Sequence, residues 1–211
     1  MAFEPRRPDR AAAIVLAAGR STRMGAKNKL LLEIEPGVAM VRRVVERALS
    51  CGFDPIFVVT GHEADAVRRA LSGMPCRFVD NPQFADGLAG SVKAGFGAAM
   101  GEGAAGAVVL LGDMPFVPAE AIGKILEVAA GDPLAIVQAV TDGKPAHPVW
   151  LPARLAGVVQ TLEGDRGVRS LVTGAGETMT TVEVSADAAI DVDTPQEFEA
   201  AIAAGKPGSR N

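Results

Sequence analysis

Ala11-Ala12-Ala13-Ile14-Val15-Leu16-Ala17-Ala18-Gly19-Arg20-Ser21-Thr22-Arg23-Met24-Gly25 is the stretch on which the reading of this chain turns. It opens with an unbroken apolar run, Ala11–Ala18, of the length and character of a strand buried on both faces, and Gly19 ends that run. Glycine lets the backbone turn sharply and approach an anion, and successive N–H groups in such a turn can cradle phosphates. Arg23 and Lys29 follow closely enough to neutralise their charge, so the segment reads as a triphosphate loop. Its spacing excludes two familiar alternatives. Gly19 and Gly25 enclose five residues with no Gly-Lys-Ser/Thr, so it is not a Walker A loop, and it lacks the Gly-x-Gly-x-x-Gly dinucleotide fingerprint. A plain strand-to-helix turn with solvated basic residues is the competing interpretation.

Outward from this stretch, short apolar runs alternate with helix-like segments, the pattern of an α/β fold with a parallel or mostly parallel sheet covered on both faces. The expected strands are 11–18, 55–60, 76–79, 107–112 and 134–140, with later short ones near Val149 and over 179–184. Helices are expected over 40–49, 64–71, 91–100, 119–130, 152–162 and 196–203. In the first of these, Val41, Val44, Val45 and Ala48 share a face, while Arg42, Arg43, Glu46 and Arg47 lie elsewhere and read as solvated. Thr194 and Pro195 read as N-cap and first helical residue of the last. A single domain over 11–204 with flexible tails at 1–10 and 205–211 is the expected organisation.

Composition narrows the ligand. The chain has 211 residues, 48% hydrophobic and 22% charged, enough for a sizeable core. Aromatics make up 4% and the net charge is −4, which provides neither base-stacking platforms nor a basic field for polymeric nucleic acid. A small ligand is expected instead. Cys51 and Cys76 form no Cys-x-x-Cys pair and lie near no histidine at metal-ligand spacing, which disfavours disulfide scaffolds and zinc modules. With no signal-peptide pattern and no long apolar run, a cytoplasmic protein without membrane partners is expected. Glycine, at 24 residues, exceeds the roughly 15 that an average usage of about 7% would give.

Three ordered motifs carry a resemblance across nearly the whole chain. Leu16–Gly25 with Lys29, Gly112-Asp113-Met114-Pro115, and Asp191-Val192-Asp193-Thr194-Pro195 together resemble nucleotidyltransferases related to molybdenum cofactor cytidylyltransferase and molybdenum cofactor guanylyltransferase. The resemblance implies a Rossmann-like three-layer α/β/α fold with a mostly parallel mixed sheet, of the nucleotide-diphospho-sugar transferase type. It also implies a nucleoside triphosphate wrapped by Leu16, Ala17, Ala18, Gly19, Ser21, Arg23, Gly25 and Lys29. Asp113 ends the apolar run 107–112, so its carboxylate is expected at the carboxyl end of a central strand. By resemblance it holds Mg²⁺, with Asp193 or Asp191 as second ligand; these two alternate around Val192 and point to one side in strand geometry. Helix capping is the competing role for that pair.

The turn-rich segment Asp80 to Ser91 leads into a helix expected to begin near Ser91, and the resemblance sets Asn81, Gly87 and Ser91 beside the base and ribose. Ala18 bears on the base: the cytidylyl branch tends to read Leu-Ala-Ala-Gly and the guanylyl branch Leu-Ala-Gly-Gly, so the chain resembles the CTP users, with GTP the alternative. Lys144-Pro145-Ala146-His147-Pro148 resembles the family's Gly-His-Pro segment with Ala146 in place of glycine. Gly164-Asp165-Arg166-Gly167-Val168-Arg169 resembles Gly-Asp-x-Gly-Ala-Arg with Val168 in place of alanine. His147, Arg166 and Arg169 are therefore expected on the side of a phosphorylated acceptor, with molybdopterin the acceptor the resemblance names. Arg23, Lys29 and Asp113 are the expected catalytic set. The product's recipient would be a molybdoenzyme or its chaperone. A sugar phosphate or isoprenoid precursor is the other acceptor class, and a cofactor carrier without turnover is the non-enzymatic alternative.

Overall fold

The computed structural model describes residues 7–20, 28–164, 179–186, 194 and 196–199. Its strands are β1 (Ala11–Ala17), β2 (Glu33–Glu35), β3 (Val38–Ala39), β4 (Ile56–Thr60), β5 (Arg77–Asp80), β6 (Gly106–Leu111), β7 (Ile136–Thr141), β8 (Lys144–Pro152) and β9 (Met179–Glu183). The helices are α1 (Met40–Ser50), α2 (Ala64–Ala70), α3 (Leu88–Gly101), α4 (Ala119–Gly131) and α5 (Ala156–Val159). Seven strands make one sheet in the order β5-β4-β1-β6-β8-β7-β9. Only β8 runs against its neighbours; β1 pairs in parallel with β4 and β6, and β7 with β9. The mixed, mostly parallel sheet is the one expected.

Burial on both faces explains the apolar runs. Along β1, Ala11, Ala13, Val15 and Ala17 join the core beneath α1, α2 and α4, while Ala12, Ile14 and Leu16 join the core beneath α3 and α5. In α1, Val41, Val44, Val45 and Ala48 are buried, each such valine contributing about 1.5–3 kcal/mol by leaving water. The charges on its other face pair rather than standing alone, Arg42 with Glu46 and Arg43 with Glu35.

Four elements differ from the sequence reading. The helix expected from Ser91 begins at Leu88, because Gly87 at φ +111° turns the chain straight into it. Ser91 therefore lies inside α3 and does not cap it. The helix expected over 152–162 reduces to a 3-10 turn, Ala153–Leu155, and the single turn α5. A second 3-10 turn, Lys29–Leu31, and the β2–β3 hairpin fall where no element was expected; β2 is only three residues long, too short for its one apolar residue, Ile34, to make a strand pattern. Farther along, Thr194 and Glu197 form a reciprocal capping box: the Thr194 N–H donates to a Glu197 carboxylate oxygen at 2.8 Å, and the Glu197 N–H donates to Thr194 Oγ1 at 3.2 Å. Thr194 is thus an N-cap as expected.

Sheet order sets the site. From β1 the chain moves outward through β4 and β5, then returns to β6 on the other flank of β1. The carboxyl ends of β1 and β6 consequently open a crevice at a topological switch point. Among the described residues, no helix is long and apolar enough to cross a membrane.

Candidate active site

That crevice is a cleft of about 330 Å³. Leu16, Ala18, Gly19 and Arg20 line it from the end of β1, Lys29 and Leu30 from the 3-10 turn, Leu111 and Asp113 from the end of β6. Phe84, Ala85, Gly87, Leu88 and Ser91 form the remaining wall. Of the expected nucleotide residues, Leu16, Ala18, Gly19, Lys29, Gly87, Ser91 and Asp113 therefore meet in one place. Ala17 does not, since the strand alternation turns its side chain into the opposite core. Ser21, Arg23, Gly25, Arg166, Arg169, Asp191 and Asp193 lie outside the described residues.

Lys29 and Asp113 form the charged end. Lys29 Nζ stands 2.6 Å from Asp113 Oδ2, with side chains 13% and 22% exposed. Two local devices place them. Asn28 Oδ1 accepts the Leu30 N–H at 3.1 Å and caps the turn, Leu30 is buried in the core, and Lys29 is left to face Asp113. On the other side, the Gly112 N–H donates to the Leu16 carbonyl at 2.9 Å. A Cβ on Gly112 would stand 2.9 Å from that same backbone oxygen, so only glycine lets the ends of β1 and β6 close together. Around Gly19, by contrast, none of the described residues other than its chain neighbours has an atom within 4 Å of where a Cβ would stand. Its lack of a side chain serves no packing contact and leaves room for a ligand to approach the backbone.

Phe84 is the aromatic residue of the lining. A Cβ on Gly61 would come 2.6 Å from Phe84 Cβ and 2.9 Å from Ala18 Cβ, so Gly61 is a notch into which both side chains fit. The Arg20 guanidinium lies 5.4 Å from the Phe84 ring centroid, a cation–π distance, and the His62 ring is tilted 46° at 6.0 Å. His62, read from sequence as surface, is indeed partly exposed, and its N–H ties this edge to the Ala18 carbonyl at 3.1 Å.

Asn81 has a different place from the one expected. It is buried behind the cleft wall, with Nδ2 donating to Ser91 Oγ at 3.0 Å and Oδ1 accepting the Gln83 N–H at 3.1 Å. It braces the loop on α3 while Ser91 lines the cleft. The Ala89 N–H in the first turn of α3 donates to the Gly164 carbonyl at 3.0 Å, so the Gly164 motif starts beside this wall.

His147 lies on β8, with Nδ1 3.4 Å from the Val109 carbonyl. Burial pushes its pKa below the ordinary value; the bond to Val109 and the charge of Asp113 pull the other way without reversing it. The imidazole is therefore neutral at pH 7.

The donor set can be tested against a metal. Among the described residues no three His, Cys, Asp or Glu side chains cluster, and the cleft's carboxylate is Asp113. A single carboxylate at a strand end fits Mg²⁺ or Mn²⁺, which commonly take one or two carboxylates with phosphates and waters. It does not fit a four-ligand zinc site.

A crevice at the switch point of a mostly parallel sheet, with a glycine turn, a lysine and an aspartate at one end, defines a nucleotide-handling α/β protein. The match to the MobA-like NTP transferase domain over residues 13–180 says which: the chain belongs to that nucleotidyltransferase family. It is 31% identical to a probable molybdenum cofactor guanylyltransferase of Methanosarcina acetivorans over 90% of this chain and 85% of that protein. It is 33% identical to the bifunctional protein GlmU of Anaeromyxobacter dehalogenans over 81% of this chain, yet spans only 37% of that protein's length. Among solved structures, Rv0371c of Mycobacterium tuberculosis superposes with a TM-score of 0.76 at 28% identity, covering 92% of this chain and 98% of that one. A manganese complex of the same protein superposes with a TM-score of 0.72.

Proposed function

We propose that the chain transfers CMP from CTP to the terminal phosphate of a small phosphorylated acceptor, molybdopterin, in a magnesium-dependent reaction that releases pyrophosphate. One observation supports this most: Gly19, with its open face, and the Lys29–Asp113 pair, placed by the Gly112 closure, come from separate stretches of chain and line one cleft. Lys29, with Arg23, takes up charge on the departing pyrophosphate. Asp113, with Asp193 or Asp191, holds the magnesium. When bound, that metal lends positive charge to the phosphate oxygens.

An acceptor phosphate oxygen attacks the α-phosphorus in line, and the bond to pyrophosphate breaks. The nucleophile is already anionic, so no side chain need remove a proton, and no covalent enzyme intermediate forms. His147, neutral at pH 7, hydrogen-bonds the acceptor while Arg166 and Arg169 grip its phosphate. A molybdoenzyme or its chaperone then receives the product.

CTP is favoured by Ala18, whose methyl group fills the Gly61 notch beside Phe84. GTP is favoured by the name of the Methanosarcina relative, and a sugar phosphate is the other acceptor class. Pyrophosphate release with CTP and with GTP, each with and without molybdopterin, separates these readings. Release that requires CTP and molybdopterin together is expected. Release only with GTP, or with a sugar phosphate acceptor, overturns the choice of substrates; nucleotide binding without any release indicates a carrier.

A further inference from the structure

We propose that Arg20 reads the nucleobase, and that the Phe84 ring holds its guanidinium in place to do so. The inference rests on a nucleotide occupying the cleft as proposed above. Lys29 and Asp113 define the charged end of that cleft. Phe84, fixed in the Gly61 notch, lines the same cleft with Ala85, Gly87 and Leu88, which carry no charge. A flat, apolar wall suits a base. Arg20 lies against this wall, its guanidinium 5.4 Å from the Phe84 ring centroid. Among the described residues no carboxylate pairs with it, so its position is set by the ring.

A guanidinium stacked on an aromatic face keeps its N–H groups in the plane and presents them edge-on as a rigid fork of donors. Such a fork matches two neighbouring acceptors on one edge of a base. Cytosine offers O2 and N3; guanine offers O6 and N7. Uracil and adenine set a donor beside each acceptor on the corresponding edges, N3–H in the first and the 6-amino group in the second. Arg20 therefore selects cytosine or guanine against uracil and adenine. Choice between the favoured two falls to the shape of the wall at Ala18. Sequence reading passed over Arg20 because it stood between two family positions, and over Phe84 because its partners lie 64 and 22 positions away in the chain, at Arg20 and His62.

Calorimetric titration of CTP, GTP, UTP and ATP, each with Mg²⁺, into the wild-type protein, Arg20→Ala, Arg20→Lys and Phe84→Leu tests the proposal without needing the acceptor. The wild type is expected to bind CTP or GTP about tenfold or more tightly than UTP and ATP, the scale of one good bidentate contact. Arg20→Ala and Arg20→Lys should both erase that preference, chiefly by weakening the favoured nucleotide. Phe84→Leu keeps bulk in the notch but removes the platform, and should lose part of it. A preference retained in Arg20→Lys, or all four nucleotides weakened equally by Arg20→Ala, overturns the proposal, because a charge serving the phosphates behaves that way. Equal binding of all four by the wild type overturns it too. Failure of the wild type to bind any nucleotide instead overturns the reading of the cleft itself.

Discussion

The two flanks of the sheet treat their polar groups in opposite ways. At the ends of β1 and β6, Lys29 and Asp113 are charged, partly exposed to the cleft and paired with each other. Across β8 and β7, polar groups sit inside the core: among the described residues Gln138 Oε1, Thr141 Oγ1 and Trp150 Nε1 are buried without hydrogen-bond partners. The first arrangement keeps charge where an incoming phosphate can reach it. The second gives up hydrogen bonds to water for packing, so its polar atoms bear mainly on stability. Changes to Lys29 and Asp113 should therefore alter chemistry and spare the fold, whereas changes to Gln138, Thr141 and Trp150 should bear on stability and spare the chemistry.

After the loss of Asp113 itself, Lys29→Ala gives the largest expected effect. Pyrophosphate release should fall about 10²–10³-fold, the scale of removing one preorganised donor to developing charge, with little change in melting temperature. A fall in stability with turnover preserved would make the lysine a structural partner of Asp113 and break the contrast. The glycines of the first flank sharpen it further. Gly112→Ala forces a methyl group against the Leu16 carbonyl and should cost about 1–3 kcal/mol in urea denaturation. Gly19→Ala meets none of the described residues beyond its chain neighbours, so its stability should stay near wild type while nucleotide affinity drops. If both variants lost stability alike, Gly19 would be serving the fold after all.

On the second flank, Gln138→Leu removes a buried carbonyl that has no partner and a long 3.4 Å contact from Nε2 to the Ala146 carbonyl. Stability should move by no more than about 1 kcal/mol in either direction. The smallest effect concerns pH. The folded pKa of His147 lies below its ordinary 6.5, so between the two values the unfolded chain binds more protons. Its contribution to stability is full above about pH 6.5 and is lost as pH falls towards the folded pKa. Stability measured from pH 7 to pH 5 should consequently fall less steeply in His147→Asn than in wild type. Identical slopes would remove the imidazole from the account.

These contrasts also show what could be read from the chain beforehand. Strands buried on both faces were legible because they are continuous apolar runs, and Gly19, Lys29 and Asp113 because they follow such runs directly. Contacts between distant positions were not. The resemblance sets Asn81 and Ser91 alike beside the base and ribose, yet Asn81 turns inward to brace Ser91 while Ser91 lines the cleft. The start of α3 was misread since its first residues, Leu88 and Ala89, carry no capping side chain, and the signal was instead the backbone of Gly87. The roles of Gly61 and Gly112 depend on what approaches them across the sheet, which composition does not encode.

The most direct test of the account is pyrophosphate release by Asp113→Ala with CTP, Mg²⁺ and molybdopterin, measured beside the wild type. The account predicts that turnover is abolished while the protein remains folded. Near-normal release by that variant would contradict it, because the carboxylate at the end of β6 would then hold nothing the reaction needs.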